Sequence, residues 1–425
     1  MKELKIAGIN CTALAKSCGT PLYVYDEEKI EEQLNTYMKH FKSERFDTEV
    51  LYASKAFLCK AMIEKVVEAG ASLDVVSGGE LYIAHRSGMS MDKVFFHGNN
   101  KSDEELELAF ELGCKTIVLD NVLETQKVIR IAENLGQSVD VMLRINPGIK
   151  AHTHEYIVTA HIDSKFGISA QRQEEIASLV KEAEQSKHVN FKGFHSHIGS
   201  QITEMEAFEK EIELLVDFVV DMEKKHNIKT SYLNIGGGFG IKYLAKDKTV
   251  PAQRVCSVLI QKCEESFAQA GINIERVMIE PGRSIVGEAG YLLYTVGYQK
   301  ETQNKHYLFV DGGMSDNIRP ALYQAEYGCD LANKMDVAKS KTYCIAGKAC
   351  ESGDIVIQET KLPEAAEGDL LVLYSAGAYG YAMANNYNKI NRPAVVFAKN
   401  GKARTVVKRE SYEDLIRLDI NEPVE

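Results

Sequence analysis

The sequence predicts an α/β protein that consists of a (β/α)8 barrel followed by a mostly antiparallel β domain. Between Thr48 and about Glu280, short apolar runs alternate with helical patterns, which is typical of a parallel sheet. Eight such units in ~230 residues are the number that closes a barrel. The predicted barrel strands are Val50–Ser54, Leu73–Val76, Val94–His97, Thr116–Leu119, Val139–Ile145, Phe191–His197, Tyr232–Ile235 and Arg276–Ile279.

Several of the helical patterns between these runs end on glycine, the residue that most readily adopts the left-handed conformation past a helix C-terminus. In the first of them, Met62, Ile63, Val66 and Val67 keep the 3.6-residue spacing of one helix face. Three helices are predicted on this basis: Ala61–Ala69 before Gly70, Leu106–Leu112 before Gly113, and Val122–Leu135 before Gly136.

After about Glu288 the sequence pattern changes: the apolar runs become short and β-branched, and turn residues separate them. Leu22–Tyr25 could add a strand to this domain from the N-terminus. We therefore predict a barrel over residues 27–285 and a β domain formed by residues 1–26 and 286–425. The later runs are Tyr307–Val310, Thr342–Ile345, Ile355–Gln358, Leu370–Tyr374, Ala394–Ala398 and Ala403–Val407.

Composition excludes several classes of protein. The net charge of −11 argues against a nucleic-acid or anionic-membrane surface as the main partner. There is no apolar run of ~18 residues, and the first 25 residues lack the order of a signal peptide, so we expect a cytoplasmic protein. The nine cysteines include no C-x-x-C pair, so we expect neither disulfides nor a zinc site. His152, His154 and His161 lie in a loop-like stretch, and we expect no metal there either.

Polar and glycine-rich segments follow the predicted strands. In a (β/α)8 barrel the active site lies at the C-terminal ends of the strands, so these segments converge on one mouth. They are Lys55, His97–Asn100, Arg144–Pro147, His195–Ser200, Gly236–Gly240 and Glu280–Ser284.

Lys55 ends the first predicted strand, where we expect it to be buried. A buried ammonium is costly unless it is used, and one common use is a Schiff base with pyridoxal phosphate (PLP). The alternative is a lysine whose charged end simply reaches solvent.

Gly236–Gly240 is the strongest local signal for an anion site, since three consecutive glycines let backbone N–H groups approach a phosphate. The phosphate site of a barrel usually comes from the loops after strands seven and eight, where this segment and Gly282-Arg283 lie. The segment matches neither a P-loop nor a dinucleotide-binding fingerprint. The alternative is an ordinary strand-to-helix turn.

Glu280 could pair with a pyridine nitrogen and keep it protonated, which makes the ring a full electron sink. The alternative for Glu280 is a salt bridge to Arg283. His197 could stack on a flat ring or be a satisfied loop histidine. Ser200 could donate to a phosphate or cap the helix that follows.

Three loops of the β domain could close over the barrel mouth or be ordinary hairpin turns. They are Asp311–Asp316, which leads to Arg319–Tyr323, then Cys350–Asp354, and Gly377–Gly380.

Together these segments resemble the diaminopimelate decarboxylases, PLP enzymes of the alanine-racemase-like fold. The resemblance runs from about Pro21 to Leu415, with the motifs in the same order. In the segment after Tyr323 the chain departs from the family pattern with Gln324-Ala325-Glu326-Tyr327. The motifs are Tyr52–Ala56, Ser164–Ile168, His197–Gln201, Gly236–Gly240, Glu280–Ser284, Arg319–Tyr323, Cys350–Asp354 and Gly377–Tyr379.

The resemblance implies a role for each matching residue. Lys55 and Cys350 are the implied catalytic residues, Lys55 bound covalently to PLP and Cys350 helping to protonate the carbanion. The implied PLP-binding residues are Lys55, His197, Ser200, Gly237, Gly238, Glu280, Gly282, Arg283 and Tyr379. The implied substrate-binding residues are Arg283, Arg319, Tyr323, Glu351 and Tyr379.

The resemblance further implies decarboxylation of meso-2,6-diaminopimelate to L-lysine and CO2, the last step of lysine biosynthesis. It also implies a homodimer in which Cys350 and Glu351 reach into the partner's site. A sister decarboxylase acting on ornithine, arginine or lysine would not need the two arginines that grip a distal carboxylate. The remaining candidate functions are a racemase of the same fold, a PLP carrier made of a barrel alone, and a metal-dependent barrel hydrolase.

Overall fold

The computed structural model describes residues 2–148 and 164–422, so His152, His154 and His161 lie outside the described residues. The chain forms two compact units. One comprises residues 31–241 and 248–284, and the other comprises residues 1–30, 242–247 and 285–425. The predicted domain limits stay a prediction.

The first unit is a closed barrel of eight parallel strands, as predicted. The strands follow one another around the ring in chain order. The sixth pairs with the fifth and the eighth pairs with the first, which closes the barrel. The barrel strands are Asp47–Ala53, Ser72–Val75, Val94–Phe96, Thr116–Leu119, Val139–Asn146, Val189–His195, Tyr232–Gly237 and Arg276–Glu280, and the short strand Ile168–Ser169 pairs with the fifth.

The helices of this unit confirm the predicted glycine endings. Gly70, Gly113 and Gly136 all have positive φ, as expected for glycine just past a helix. Ser102 and Glu105 form a capping box at the start of one helix, which satisfies two backbone N–H groups. The helices are Lys60–Ala69, Gly78–Arg86, Asp103–Glu111, Val122–Leu135, Gln173–Gln185, Met205–His226 and Ala252–Ala270, with 3₁₀ turns at Ser54–Ala56 and Met91–Lys93.

Apolar side chains from five of the eight strands pack together in the barrel unit. Leu51, Phe95, Val118, Met142 and Met278 form one buried cluster. Because successive side chains of a strand point to opposite faces, the residues between them face the surrounding helices. The packed interior leaves the strand ends as the place where polar groups can gather.

The second unit is mostly antiparallel, as predicted. Leu22–Asp26 does join it, antiparallel to Gly290–Glu301 and parallel to Ala394–Lys399. Four strands were not predicted from the sequence: Gly290–Glu301, Cys329–Leu331 and the two-residue strands Lys5–Ile6 and Ile9–Asn10. The other strands are His306–Val310, Lys341–Ala346, Ile355–Leu362, Leu370–Leu373 and Lys402–Val407.

Helices are short in the second unit. Two of the chain's helices, Glu27–His40 and Arg283–Val286, begin in one unit and end in the other. Among the described residues we find no helix that is both long and apolar enough to span a bilayer. The remaining helices are Cys11–Cys18, Arg319–Tyr323 and Tyr412–Ile416, with 3₁₀ turns at Tyr381–Met383 and Tyr387–Lys389.

Candidate active site

Lys55 lies on the 3₁₀ turn that follows the first barrel strand. Its Nζ is 3.3 Å from Oδ2 of Asp74, and the lysine side chain is 38% exposed whereas that of Asp74 is 1% exposed. The expectation that Lys55 is buried is therefore wrong. The strand ends at Ala53, so the turn places the lysine side chain at the barrel mouth and not within the barrel wall.

A second carboxylate fixes the turn that carries Lys55. Oε2 of Glu80 accepts hydrogen bonds from Ser54 Oγ at 2.6 Å and from the backbone N–H of Val76 at 2.8 Å. Burial raises the pKa of Glu80, and these two donors oppose the shift. Glu80 thus ties the residue before Lys55 to the end of the second strand.

Glu280 ends the eighth strand and is 5% exposed. Its Oε1 accepts a hydrogen bond from Asn234 Nδ2 at 2.7 Å and lies 3.1 Å from His97 Nε2. Its Oε2 lies 3.3 Å from His195 Nε2. Burial disfavours the charged carboxylate, yet His195, His97 and Lys55 hold the pKa of Glu280 well below its usual range. Glu280 is therefore a buried anion.

His97 packs edge-on against His195, with ring centroids 4.8 Å apart. Burial lowers the pKa of His97 to about 4, although Asp74 and Glu280 act in the opposite direction. The ring is therefore neutral near pH 7. Ligand atoms of His97, His195 and Glu280 all lie within 4.8 Å of one another, so within the described part of the chain this group could also hold a cation.

His197 follows the sixth strand, and its Nδ1 accepts a hydrogen bond from the N–H of Gly237 at 3.2 Å. This bond leaves Nε2 as the protonated nitrogen of the neutral ring. Burial lowers the pKa of His197 well below its usual value, and the charges of Lys55 and Arg144 add to that effect. The site thus presents a flat, uncharged ring.

Close backbone packing requires the three glycines Gly236–Gly238, which end and follow the seventh strand. A Cβ on Gly237 would lie 2.0 Å from the carbonyl oxygen of Glu280. A Cβ on Gly238, whose φ is +102°, would lie 2.1 Å from the carbonyl oxygen of Gly199. Only glycine lets this loop lie against the ends of strands six and eight.

Ser200 and Arg283 come together beside this loop, since Arg283 Nη2 donates to Ser200 Oγ at 2.8 Å. Ser200 does not cap the next helix, whose N-cap is Glu204, so that alternative is wrong. Gly282 lies so close to Ala53 that an added Cβ would be 2.8 Å from the Cβ of Ala53. The loop after strand eight is therefore close to the start of the Lys55 turn.

The second unit carries the other predicted site residues. Arg319 is 7% exposed, whereas Tyr323 on the same short helix is 61% exposed. Cys350 and Glu351 are both exposed. The backbone N–H of Cys350 donates to Asn388 Oδ1 at 2.6 Å, and the carboxylate of Glu351 accepts from the N–H of Gly353 at 3.1 Å.

Asp354 and Tyr379 shape the loops of this unit. The carboxylate of Asp354 accepts hydrogen bonds from the backbone N–H groups of Met314 at 2.7 Å and Ala349 at 2.8 Å. It therefore joins the loop before Arg319 to the loop that carries Cys350. Tyr379 is half-buried and has a φ of +59°, an uncommon conformation for a residue with a side chain.

Comparison with known proteins identifies the family. Residues 27–287 match the family described as pyridoxal-dependent decarboxylase, pyridoxal binding domain. The chain is 48% identical to diaminopimelate decarboxylase of Bacillus subtilis, over 98% of this chain and 95% of that protein. It is 46% identical to the Halalkalibacterium halodurans enzyme, with 98% and 95% covered. The chain belongs to the diaminopimelate decarboxylases.

Solved structures agree with this assignment. A diaminopimelate decarboxylase from M. jannaschii, determined in complex with L-lysine, superposes with a TM-score of 0.93 at 34% identity. The match covers 99% of this chain and 96% of that one. The predicted alanine-racemase-like fold, with its barrel and mostly antiparallel sheet, is confirmed.

The residues of this decarboxylase fit PLP. Glu280 supplies a buried negative charge for a ring nitrogen, and neutral His197 supplies a flat surface. Gly237 and Gly238 leave no room for side chains, and Arg283 with Ser200 adds a cation and a hydroxyl for a phosphate. The protein is PLP-dependent, as its family is.

Two strand residues of the barrel site, Asp74 and Asn234, were not predicted from the sequence, and neither was Glu80 on the helix after the second strand. Asp74 lies beside Lys55, and Asn234 donates to Glu280 while its Oδ1 accepts from the N–H of Gly236 at 2.9 Å. Both are polar residues within buried strands, and this was the signal that could have revealed them.

Proposed function

We propose that this protein converts meso-2,6-diaminopimelate to L-lysine and CO2 in a PLP-dependent decarboxylation. The observation that carries the proposal is Glu280, a buried carboxylate that its neighbours keep ionised. Such an anion keeps a pyridine nitrogen protonated. Decarboxylation needs that protonated nitrogen, whereas a barrel that only binds a phosphate has no use for it. The match to diaminopimelate decarboxylases over nearly the full chain supports the choice of substrate.

Bound PLP supplies an electron sink for the pair that remains when CO2 departs. Lys55 would hold it covalently through Nζ, and His197 would cover one ring face. Gly237, Gly238, Gly282, Ser200 and the Arg283 guanidinium would bind the phosphate.

The protein residues around the reacting group have distinct tasks in this proposal. Glu280 holds its negative charge because its neighbours, His195 foremost, outweigh the effect of burial on its pKa. The side chain of Asp74 lies 3.3 Å from Lys55 Nζ and so orients that amine. Cys350 would deliver a proton to the carbon that CO2 leaves.

The two ends of the substrate need different partners. The end that reacts loses its carboxylate, whereas the distal end keeps both an ammonium and a carboxylate. Arg283, Arg319 and Tyr323 would bind the distal carboxylate, Glu351 would bind the distal ammonium, and Tyr379 would contact both cofactor and substrate. An arginine and a carboxylate form strong, geometrically specific hydrogen bonds, so this set would select for a zwitterionic distal end.

We also propose a homodimer in which Cys350 and Glu351 enter the partner's site. Their exposure in the single chain supports this, because both side chains are open to a second copy. We further propose a cytoplasmic location, which the nine free thiols support.

The deciding experiment measures CO2 release by the PLP-loaded protein with meso-diaminopimelate, lysine, ornithine and arginine in parallel. Release from diaminopimelate alone, with lysine as product, is expected. CO2 release from only one of the other amino acids would show that the proposed substrate is wrong but that PLP-dependent decarboxylation is right. No release from any of them would overturn the proposal and favour a racemase.

A further inference from the structure

Arg319 is a buried cation whose direct partners are uncharged. Its Nη1 donates to the phenol oxygens of Tyr243 at 3.0 Å and Tyr327 at 2.5 Å. Within residues 2–148 and 164–422, no carboxylate oxygen lies within 4.0 Å of its guanidinium. A buried charge without a counter-ion is costly, so this arrangement is suited to a guanidinium that receives its anion from a ligand.

The two tyrosines also enclose the guanidinium between their rings. The Cζ of Arg319 lies 5.0 Å from the ring centroid of Tyr243 and 5.6 Å from that of Tyr327. The rings stand nearly perpendicular to each other, at 88°. Burial disfavours the charged form, but the two phenols outweigh it and raise the pKa of Arg319. The cation is thus retained by cation–π contact and hydrogen bonding.

Asn317 contacts both Arg319 and Tyr327. Its Oδ1 accepts from the backbone N–H of Arg319 at 3.3 Å and lies 3.5 Å from the hydroxyl of Tyr327. Tyr327 is 3% exposed and Tyr243 is half-buried. The guanidinium is therefore held at Nη1 by two side chains, of which Tyr327 is itself held by Asn317.

Both hydrogen bonds of the Arg319 side chain to described residues leave from Nη1. Nε and Nη2 form the other edge of the planar group. Two parallel N–H donors on one edge match the two oxygens of a carboxylate. The tyrosines thus decide which edge of Arg319 faces a ligand.

We infer that Tyr243 and Tyr327 are positioning residues that turn the Nε–Nη2 edge of Arg319 toward the distal carboxylate of the substrate. They act through Arg319 and so determine specificity for an amino acid with a second carboxylate. This inference rests on the proposed function, which assigns that carboxylate to Arg319.

The test compares two ligands that differ only in the distal carboxylate. L-Lysine keeps it, since decarboxylation occurs at the other end, and 1,5-diaminopentane lacks it. Binding of each to the PLP-loaded protein is measured by titration calorimetry for wild type, Tyr243→Phe, Tyr327→Phe and the double variant. The change to phenylalanine keeps the ring and removes only the hydroxyl. Tyr298→Phe, which alters a tyrosine that is 77% exposed, is the matched control.

Each single variant should bind L-lysine about tenfold more weakly, because a misdirected guanidinium loses its two-point contact. Binding of 1,5-diaminopentane should not change, and the control should match wild type for both ligands. KM for meso-diaminopimelate should rise more than kcat falls. Equal weakening of both ligands would show a merely structural role and overturn the inference, and so would unchanged L-lysine binding.

Failure of the proposed function and failure of the positioning role give different results in these experiments. If wild type releases no CO2 from meso-diaminopimelate, the proposed function fails. If wild type is active and binds L-lysine more tightly than 1,5-diaminopentane, but the variants keep that ratio, only the positioning role fails. Tyr243→Phe tests the inference by itself should Tyr327→Phe fail to fold.

Discussion

Replacing Glu211 by glutamine should make the protein's stability less dependent on pH. Glu211 lies on the helix Met205–His226 and is 0% exposed. Neither carboxylate oxygen has hydrogen-bond geometry to a described residue. Burial raises the pKa of Glu211 to about 8, the charge of Glu280 adds to this shift, and Ser196 and Arg144 oppose it. Glu211 therefore carries a proton at neutral pH.

The size of the effect follows from proton linkage. Below pH 4.5, the ordinary pKa of the side chain, folded and unfolded chains both hold the proton on Glu211. Between that pH and about 8 the unfolded chain releases it while the folded chain keeps it, so stability falls by about 1.4 kcal/mol per pH unit. From pH 5 to pH 8 the loss is about 4 kcal/mol. Glutamine has the shape of the protonated acid and does not titrate, so the variant lacks this loss.

The assay is equilibrium urea unfolding of the PLP-loaded proteins at pH 5, 6.5 and 8. The stability of Glu211→Gln relative to wild type should increase steadily with pH. Glu206→Gln, which changes an exposed glutamate on the same helix, is the control and should follow wild type at each pH. A stability difference between Glu211→Gln and wild type that stays constant over this range would refute the reasoning.

Four further predictions concern the proposed site. Lys55→Ala should abolish the absorbance of lysine-bound PLP, measured by spectroscopy of the loaded protein. Gly238→Ala should weaken PLP binding at least tenfold in a cofactor titration, because its Cβ would lie 2.1 Å from a carbonyl oxygen at a φ of +102°. Glu351→Ala should raise KM for meso-diaminopimelate by about 10- to 100-fold, the value of a charged hydrogen bond, and leave PLP retention unchanged. Mixed Lys55→Ala and Cys350→Ala proteins should recover up to about a quarter of wild-type activity, since mixed dimers would have one intact site.

Each of these predictions has a distinct contradicting result. Retained absorbance would exclude Lys55 as the covalent attachment point. Gly136→Ala is the control for Gly238, because it also has positive φ but its Cβ would meet no atom within 4 Å; equal loss of PLP affinity in both would point to general destabilisation. Parallel loss of PLP and of substrate binding would remove Glu351 from the substrate contacts. Absence of recovery in confirmed mixed dimers would contradict shared sites.

The sequence was sufficient to predict the barrel because each strand is a short apolar run bounded by turn residues. It was not sufficient for Gly290–Glu301, whose second half is polar and exposed. That strand pairs with Leu22–Asp26, His306–Val310 and Leu370–Leu373, so it is specified by tertiary contacts more than by its own pattern. The three-residue strand Cys329–Leu331 is too short for any periodicity to be visible.

The barrel rule places Lys55, His197 and Glu280 at the mouth without any coordinates, since strand ends converge. The same rule does not give the partners of these residues. Asn234 and Asp74 lie within strands, and only the register of neighbouring strands brings them to Glu280 and Lys55. The exposure of Lys55 was predicted wrongly because the sequence does not show that the strand ends two residues earlier.

Two buried glutamates of the barrel unit show what sets charge in this site. Burial favours the neutral form of both, yet the pKa of Glu280 is lowered and that of Glu211 is raised, so Glu280 is ionised and Glu211 is protonated at neutral pH. The difference lies in the neighbours, because His195 lies 3.3 Å from Glu280 and lowers its pKa, whereas neither carboxylate oxygen of Glu211 has a hydrogen-bond partner among the described residues. Each charge disfavours the other, so a protonated Glu211 helps Glu280 to keep its charge. Glu211→Gln should therefore leave the charge of Glu280, and the PLP absorbance that depends on it, unchanged at pH 7.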